Sequence, residues 1–356
     1  MNVRNKFLNL IREKRLPDFS FWLRNLSLLK SSLQNEKIGA WHVIHQDPLI
    51  IYIMPMGGPY QQLFRYIGHR KTYFFLSNPW IPRDRNQAIE LREEIIQHQT
   101  IYPEYSFLFL CNDSKEADTY RDLGLEAYFC NQNCFIDESI FKPLPHIQKE
   151  FDALYDAQIV PYKRHELAIK ITNLALNGYL LTECNHKDYT QYVQRNFTHC
   201  HWLQNPFNSL NKLQFSDSEI AQFINKARCG LCLSAHEGGM YASMQYLLCG
   251  LPIVSTKSIG GRDVFFNEQT TLIVEDTPEA VQEGVDAIIH RNINPNDIRA
   301  ITITAVEKHR QTFKNIIATI CDRNQVSVNP NEIWSNVFRH KMTQKHPYKN
   351  ITKILS

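Results

Sequence analysis

Residues 236–256, HEGGMYASMQYLLCGLPIVST, place a carboxylate, two glycines and an apolar run in succession. The first amides of a helix have no intrahelical partner, and the helix dipole puts partial positive charge there. A turn of Gly238 and Gly239 opening a helix at Met240 is therefore an anion site, and a phosphate suits it. Glycines let a diphosphate approach the backbone closely. Glu237 lies on one side of that site. Gln245 lies further along, about 12 Å away if the path is helical at 1.5 Å per residue. That is the span from a sugar, across a pyrophosphate, to a ribose. A carboxylate and an amide can each hydrogen-bond hydroxyls at the two ends. A glycine turn between strand and helix with no ligand fits the same residues.

Such a turn needs a strand to deliver it and a sheet to hold the strand. From residue 48 onward the sequence alternates between the two periods. PLIIYIM (48–54), KTYFFLS (71–77), YSFLFLC (105–111) and EAYFC (126–130) read as strands. Residues 86–98 have helical apolar spacing, and Asp113 or Ser114 caps a helix ending at Gly124. DESIFKPLPHIQKE (137–150) reads as an interdomain linker. The alternation then restarts, with FDALYDAQ (151–158) as a strand, HELAIKITNLALNG (165–178) as a helix and GYLLTE (178–183) as a strand. Ser216 and Glu219 form a capping box for a helix through Ala227. CGLCLS (229–234), PIVST (252–256) and TLIV (271–274) are strands, MYASMQYLLC (240–249) a helix, and Pro278 starts another. Further helix is expected over 297–320. Strands alternating with helices imply parallel, doubly wound sheets, and open sheets of this kind bind ligands beyond the carboxyl ends of their strands.

A chain of 356 residues with 43% hydrophobic and 21% charged residues has the length and composition of a globular protein of two domains. No apolar run reaches membrane-spanning length, and the N-terminus does not read as a secretory signal. Nine cysteines, mostly in apolar surroundings, read as reduced thiols in a cytoplasmic protein. Cys229 and Cys232 form a CxxC inside an apolar strand and read as buried small hydrophobes rather than metal ligands. The net charge is +3, with basic residues concentrated at both ends. Val3, Phe7, Leu10 and Ile11 have helical spacing. That segment reads as a surface helix of the first domain, with a basic membrane-surface helix as the alternative. Neither a recognised nucleic-acid module nor a domain-wide basic face is present, so no nucleic-acid partner is expected.

The order strand, E-G-G, helix, C-G-L-P-I-V-S-T, G-G resembles the donor-site signature of retaining GT-B glycosyltransferases of family 4 (group 1). The match runs from about residue 216 to 288. CNQNCFIDESIFKP (130–143) and DAQIVPYKRHELA (156–168) are similar to the segments that end the family's first domain and hold its diphosphate. The resemblance implies an α/β chain of GT-B type: two Rossmann-like, doubly wound domains facing a cleft. Residues 1–145 would be the acceptor-side domain, 146–320 the donor domain, and 321–356 a basic helical tail packing back on the first domain.

It also implies a reaction, in which a sugar moves from a nucleotide-diphosphate-sugar to an acceptor hydroxyl with retained configuration. Glu237 would orient the donor sugar and Lys163 would hold the diphosphate. Gly238, Gly239, Met240, Gln245, Gln158, Arg164, Gly260, Gly261 and Arg262 would complete the donor site, and Gly57 and Gly58 the first domain's glycine loop. Gln245 stands where the family has its second Glu, and Gln158 where it has an Arg. Arg164 or Arg262 would supply the missing charge. His69 is a further His of the first domain and is not assigned a role. The nucleotide-sugar is a co-substrate, with neither cofactor nor metal expected. The acceptor would be a glycan, a lipid-linked sugar or a small molecule. The expected location is cytoplasmic, at the inner face of a membrane contacted by the basic termini. The alternative reading is a non-catalytic sugar-nucleotide-binding or scaffold subunit of a glycan-assembly complex, raised by Gln158 and Gln245.

Overall fold

The computed structural model describes residues 38–55, 58–78, 85–180, 186–207, 215–337 and 344–356. The apolar stripe expected at Val3, Phe7, Leu10 and Ile11 lies outside these residues, and so does Gly57. Two six-stranded sheets organise the chain.

The first sheet begins with an antiparallel hairpin of β1 (Ile38–Gln46) and β2 (Leu49–Met54). After a short helix, α1 (Phe64–Ile67), comes β3 (Thr72–Leu76), parallel to β2 and buried throughout. Then follow α2 (Arg85–Ile101), β4 (Tyr105–Cys111), α3 (Ser114–Asp122) and β5 (Glu126–Phe129). β3, β4 and β5 continue the parallel run. Asp113 caps α3 by accepting from the Lys115 amide at 2.6 Å. The central strands are covered on both faces, which is why they read as continuous apolar runs rather than alternations.

The second sheet contains β6 (Phe151–Asp156), β7 (Leu174–Asn177), α4 (Lys187–Asn196), β8 (His201–Trp202), α5 (Asp217–Asn225), β9 (Ala227–Cys232), α6 (Tyr241–Leu248), β10 (Ile253–Thr256), β11 (Thr271–Val274) and α7 (Pro278–His290). Its order is β11-β10-β9-β6-β7-β8, and every pairing is parallel. Both halves of the capping box form at Ser216 and Glu219.

One stretch departs from its sequence pattern. The helix expected over 165–178 is a single 3-10 turn at His165–Ala168, followed by β7. Of the strand expected at 178–183, residues 178–180 are not strand, and the rest lies outside the described residues. Gly178 starts a loop, and a Cβ there would stand 2.9 Å from the Ala157 carbonyl oxygen. Helix α5 stops at Asn225, because Ala227 already opens β9.

Helix α8 (Pro295–Arg323) joins the two halves. Arg299 donates to the carbonyls of Phe141 and Leu248, and Arg310 grips the Glu138 carboxylate. Phe313 packs edge-on against Phe75 at 5.6 Å and Phe135 at 5.2 Å. The chain then returns to the first sheet through α9 (Pro330–Val337), β12 (Lys345–Pro347) and α10 (Ile351–Leu355). β12 pairs antiparallel with β1, giving the first sheet the order β12-β1-β2-β3-β4-β5. Gly39 on β1 leaves room for the Tyr348 ring, which is buried in the first-domain core together with Ile351.

Cys229 and Cys232 are free and fully buried on β9. Burial pushes the Cys232 thiol up to about 12, consistent with a packing role. No helix among the described residues is long and apolar enough to cross a membrane.

Candidate active site

Strand β6 ends at Asp156, and the chain crosses the carboxyl edge of the second sheet before turning at Pro161–Lys163. Three features fix that turn. The Tyr155 hydroxyl donates to the Lys163 carbonyl. Arg164 adopts a left-handed conformation with φ 54°. The His165 amide donates to the Tyr189 hydroxyl at 2.7 Å, which itself donates to Glu166 at 2.9 Å. His165 is buried, and that burial, with Lys163 nearby, pushes its imidazole down to about 3, so the ring is neutral. The backbone carrying Lys163 thus rests on a closed polar network.

Glu237 comes from the loop after β9. Its amide donates to the Ile259 carbonyl at 3.0 Å, and the Ile259 amide donates to Ala235 at 2.9 Å. The two loops following β9 and β10 therefore hold each other. Glu237 and Lys163 form an ion pair, Nζ to Oε1, with each residue only 8% exposed. The Lys163 ammonium also lies 5.3 Å from the centroid of the Tyr162 ring.

Helix α6 starts beside this pair. Its N-cap, Met240, is extended and makes no side-chain cap to the helix's N-terminal amides. The helix is set against β9 by Gly230, where a Cβ would stand 2.2 Å from the Tyr246 ring. The Tyr246 hydroxyl in turn accepts from the Asp156 amide at 2.7 Å. A glycine inside a strand here marks a close approach of helix to sheet.

A cavity of about 350 Å³ opens at this junction. Of the residues singled out in the sequence, Gln158, Lys163, Glu237, Gly239, Met240 and Gln245 line it. Asp156, Ala157, Tyr162, Tyr179, Tyr241 and Ala242 line it as well and were not singled out. Tyr162 and Asp156 flank segments already marked by Lys163 and by the end of a strand, so position relative to β6 was the available signal.

The remaining candidates lie elsewhere. Gly238 is not among the lining residues. Arg164 donates to the Leu233 carbonyl at 2.6 Å, to Thr256 at 2.6 Å and to Asp276 at 2.7 Å. Arg262 is fully buried and donates to the carbonyls of Cys232, Ser234 and Thr256, to the Ser255 hydroxyl and to Asp263. Both guanidinium groups tie the carboxyl ends of β9 and β10 together and do not line the cavity. Gly58 packs against Ile38 and Tyr348. His69 is exposed and bonded to Glu104.

Gly239, besides lining the cavity, and Gly261 also meet the first domain. Gln132 donates from Nε2 to the Gly239 carbonyl at 2.7 Å, and Asn133 from Nδ2 to the Met240 carbonyl at 3.0 Å. Asn131 donates from Nδ2 to the carbonyls of Gly261 and Asn112, both at 2.8 Å. Three consecutive amide side chains after β5 thus clasp both glycine turns of the second domain. Gly260, with φ 117°, precedes that contact.

Residues 136–305 match the family model described as glycosyl transferases group 1. Among curated proteins there is no match to the sequence. The chain is similar in structure to HepE (Alr3699) of Anabaena in complex with UDP, with 13% identity, 76% of this chain and 78% of that chain covered, and a TM-score of 0.55. A second structure of HepE, with UDP and glucose, matches at 14% identity over 74% of this chain and 83% of that one, with a TM-score of 0.50. At such identities the likeness is one of fold. The fold is GT-B, with two Rossmann-like α/β domains facing a cleft.

Proposed function

We propose that this protein is a glycosyltransferase that moves a sugar from a nucleotide-diphosphate-sugar to an acceptor hydroxyl, with retention of configuration. The observation that carries this reading is the convergence of Lys163, Glu237, Gln158, Gln245 and the uncapped start of α6 on one cavity. These groups come from two loops and a helix at the carboxyl edge of a parallel sheet, where such sheets bind ligands.

In this reading the diphosphate lies against Lys163 and the first amides of α6. Both stabilise the negative charge that grows on the leaving nucleoside diphosphate. Glu237 accepts hydrogen bonds from hydroxyls of the donor sugar and orients it. Gln245, one turn and more into the helix, contacts the ribose. Gln158 offers its amide to the phosphate side. The ammonium and the helix dipole perform the charge stabilisation that a metal performs in other transferases. The acceptor hydroxyl, of a glycan, glycolipid or smaller sugar, enters from the first-domain side. Closure of the cleft would exclude water, the competing acceptor.

The second reading is a non-catalytic subunit that binds a sugar nucleotide within a glycan-assembly complex. It is favoured by Gln158 and Gln245, neutral where the resemblance implies charge.

A thermal-shift screen with UDP-, GDP-, ADP- and dTDP-sugars, followed by a donor-hydrolysis assay on each hit, tests the proposal. Stabilisation by one of them together with turnover supports transfer. Stabilisation without turnover supports the scaffold. No stabilisation by any nucleotide-sugar removes the donor site. UDP-glucose is the first to try, because HepE holds UDP and glucose in the same fold.

A further inference from the structure

We infer that Glu237 sets the site's preference for a nucleotide-sugar over the bare nucleoside diphosphate, by holding Lys163 whenever no sugar is present. This rests on the donor-binding reading above. The charges pose the problem. Among the described lining residues, two carboxylates, Asp156 and Glu237, face one ammonium, Lys163. The ammonium is already paired with Glu237. Arg164 and Arg262, the neighbouring cations, are bonded to carbonyls, hydroxyls and carboxylates outside the cavity. A diphosphate entering alone therefore meets a cavity whose own cation is engaged.

The sugar resolves this. Its hydroxyls are donors, and an ionised carboxylate is purely an acceptor. When a sugar lies beside Glu237, its hydroxyls take the place of the ammonium at the carboxylate, and Lys163 turns to the phosphate. When the nucleoside diphosphate comes alone, nothing replaces the ammonium. Either Glu237 is left unpaired at 8% exposure or Lys163 is divided between two anions. Both alternatives are unfavourable in a site shielded from water. The exchange needs only side-chain rotation. The Lys163 backbone is fixed through Tyr155, and the Glu237 backbone through Ile259. The Lys163 ammonium lies over the Tyr162 ring, whose electron-rich face also attracts it. Glu237 thus favours the intact donor, and after transfer it reclaims Lys163 and weakens the hold on the spent nucleotide.

Calorimetry with UDP, GDP, ADP and dTDP, and with the nucleotide-sugar found in the screen, tests this on the full chain. Glu237→Gln keeps the size of the side chain and removes its charge. It is expected to bind the matching nucleoside diphosphate about tenfold tighter than the unmodified protein, a difference of about 1.4 kcal/mol. Equal or weaker binding by Glu237→Gln, with the unmodified protein still binding the nucleotide-sugar, overturns the inference and leaves the donor site standing. Should Glu237→Gln not fold, the unmodified protein alone decides. It is expected to bind the nucleotide-sugar at least about tenfold tighter than its nucleoside diphosphate, and parity overturns the inference. Absence of binding by every nucleotide and nucleotide-sugar refutes the donor reading itself, and this inference with it.

Discussion

The side chain of Gln132, from the first domain, occupies the space where a Cβ on Gly239, from the second, would stand. The distance from that Cβ to Gln132 Cγ would be 2.4 Å, and Gln132 Nε2 donates to the Gly239 carbonyl at 2.7 Å. The second glycine of the E-G-G turn is thus required by a contact between domains, whatever it also allows a ligand to do.

Gly239→Ala is expected to cost about 1–3 kcal/mol of stability, the usual range for overpacking. Gln132 is 1% exposed and gives way only by losing its bond. In a Gln132→Ala background the cost should shrink, and an undiminished cost would locate the obstruction elsewhere. Gly261→Ala is expected to cost more, because its Cβ would stand 2.2 Å from the backbone oxygen of Asn112. Denaturant unfolding of the variants measures both.

Arg262→Lys should destabilise by about 3 kcal/mol or more, since an ammonium cannot reproduce a planar fork bonded to several buried acceptors. Nucleotide affinity of the folded fraction should stay the same. A selective loss of nucleotide binding at unchanged melting temperature would instead return Arg262 to the ligand.

Lys163→Met should weaken binding of the nucleotide-sugar by about a hundredfold, the loss of a charged hydrogen bond to phosphate. It also leaves Glu237 buried without its ammonium, so a drop of about 3 kcal/mol in stability is expected. Unchanged affinity would place Lys163 outside the phosphate site.

Gln245→Glu is expected to tighten the nucleotide-sugar by about 1–2 kcal/mol, the difference between a charged and a neutral acceptor at ribose hydroxyls. A gain in turnover would mark a working transferase with a weakened contact. If neither form turns over any donor that it binds, the scaffold reading stands.

Glu116 provides a pH dependence. Burial pushes its carboxyl up to about 8, although it accepts the Asn112 amide at 2.9 Å. The raised value means that the folded protein binds the proton more tightly than the unfolded chain. The stabilisation is complete at pH values below the unfolded value of about 4.5 and is lost as pH rises through about 8. Glu116→Gln should therefore flatten the fall in melting temperature across that window. Parallel profiles for the two proteins would contradict it.

Much of this was legible from the residues. The strands β2–β5 and β9–β11 announced themselves as apolar runs between turn residues, and Asp113, Ser216 and Pro278 marked helix starts. β7 was not legible. Ala168, Ile171 and Leu174 have helical spacing, yet LALN is four residues of a strand flanked on both sides by others, and so short an apolar run carries no period. At the site, Lys163, Glu237 and Gln245, far apart in sequence, are gathered on one cavity by the sheet edge. Arg164 and Arg262 do not line it. Sequence reports a charge but not whether neighbouring carbonyls have already claimed it. The clasp of Asn131, Gln132 and Asn133 involves partners more than 100 residues away, and no local pattern encodes those.

The pairing of β12 with β1 has a consequence for the order of events at the ribosome. The first domain takes its edge strand, and the Tyr348 ring that sits under Gly39, from residues synthesised after the whole of the second domain. Its sheet gains this edge strand only once those residues have been made, so the first domain is completed by a segment that follows the second in sequence.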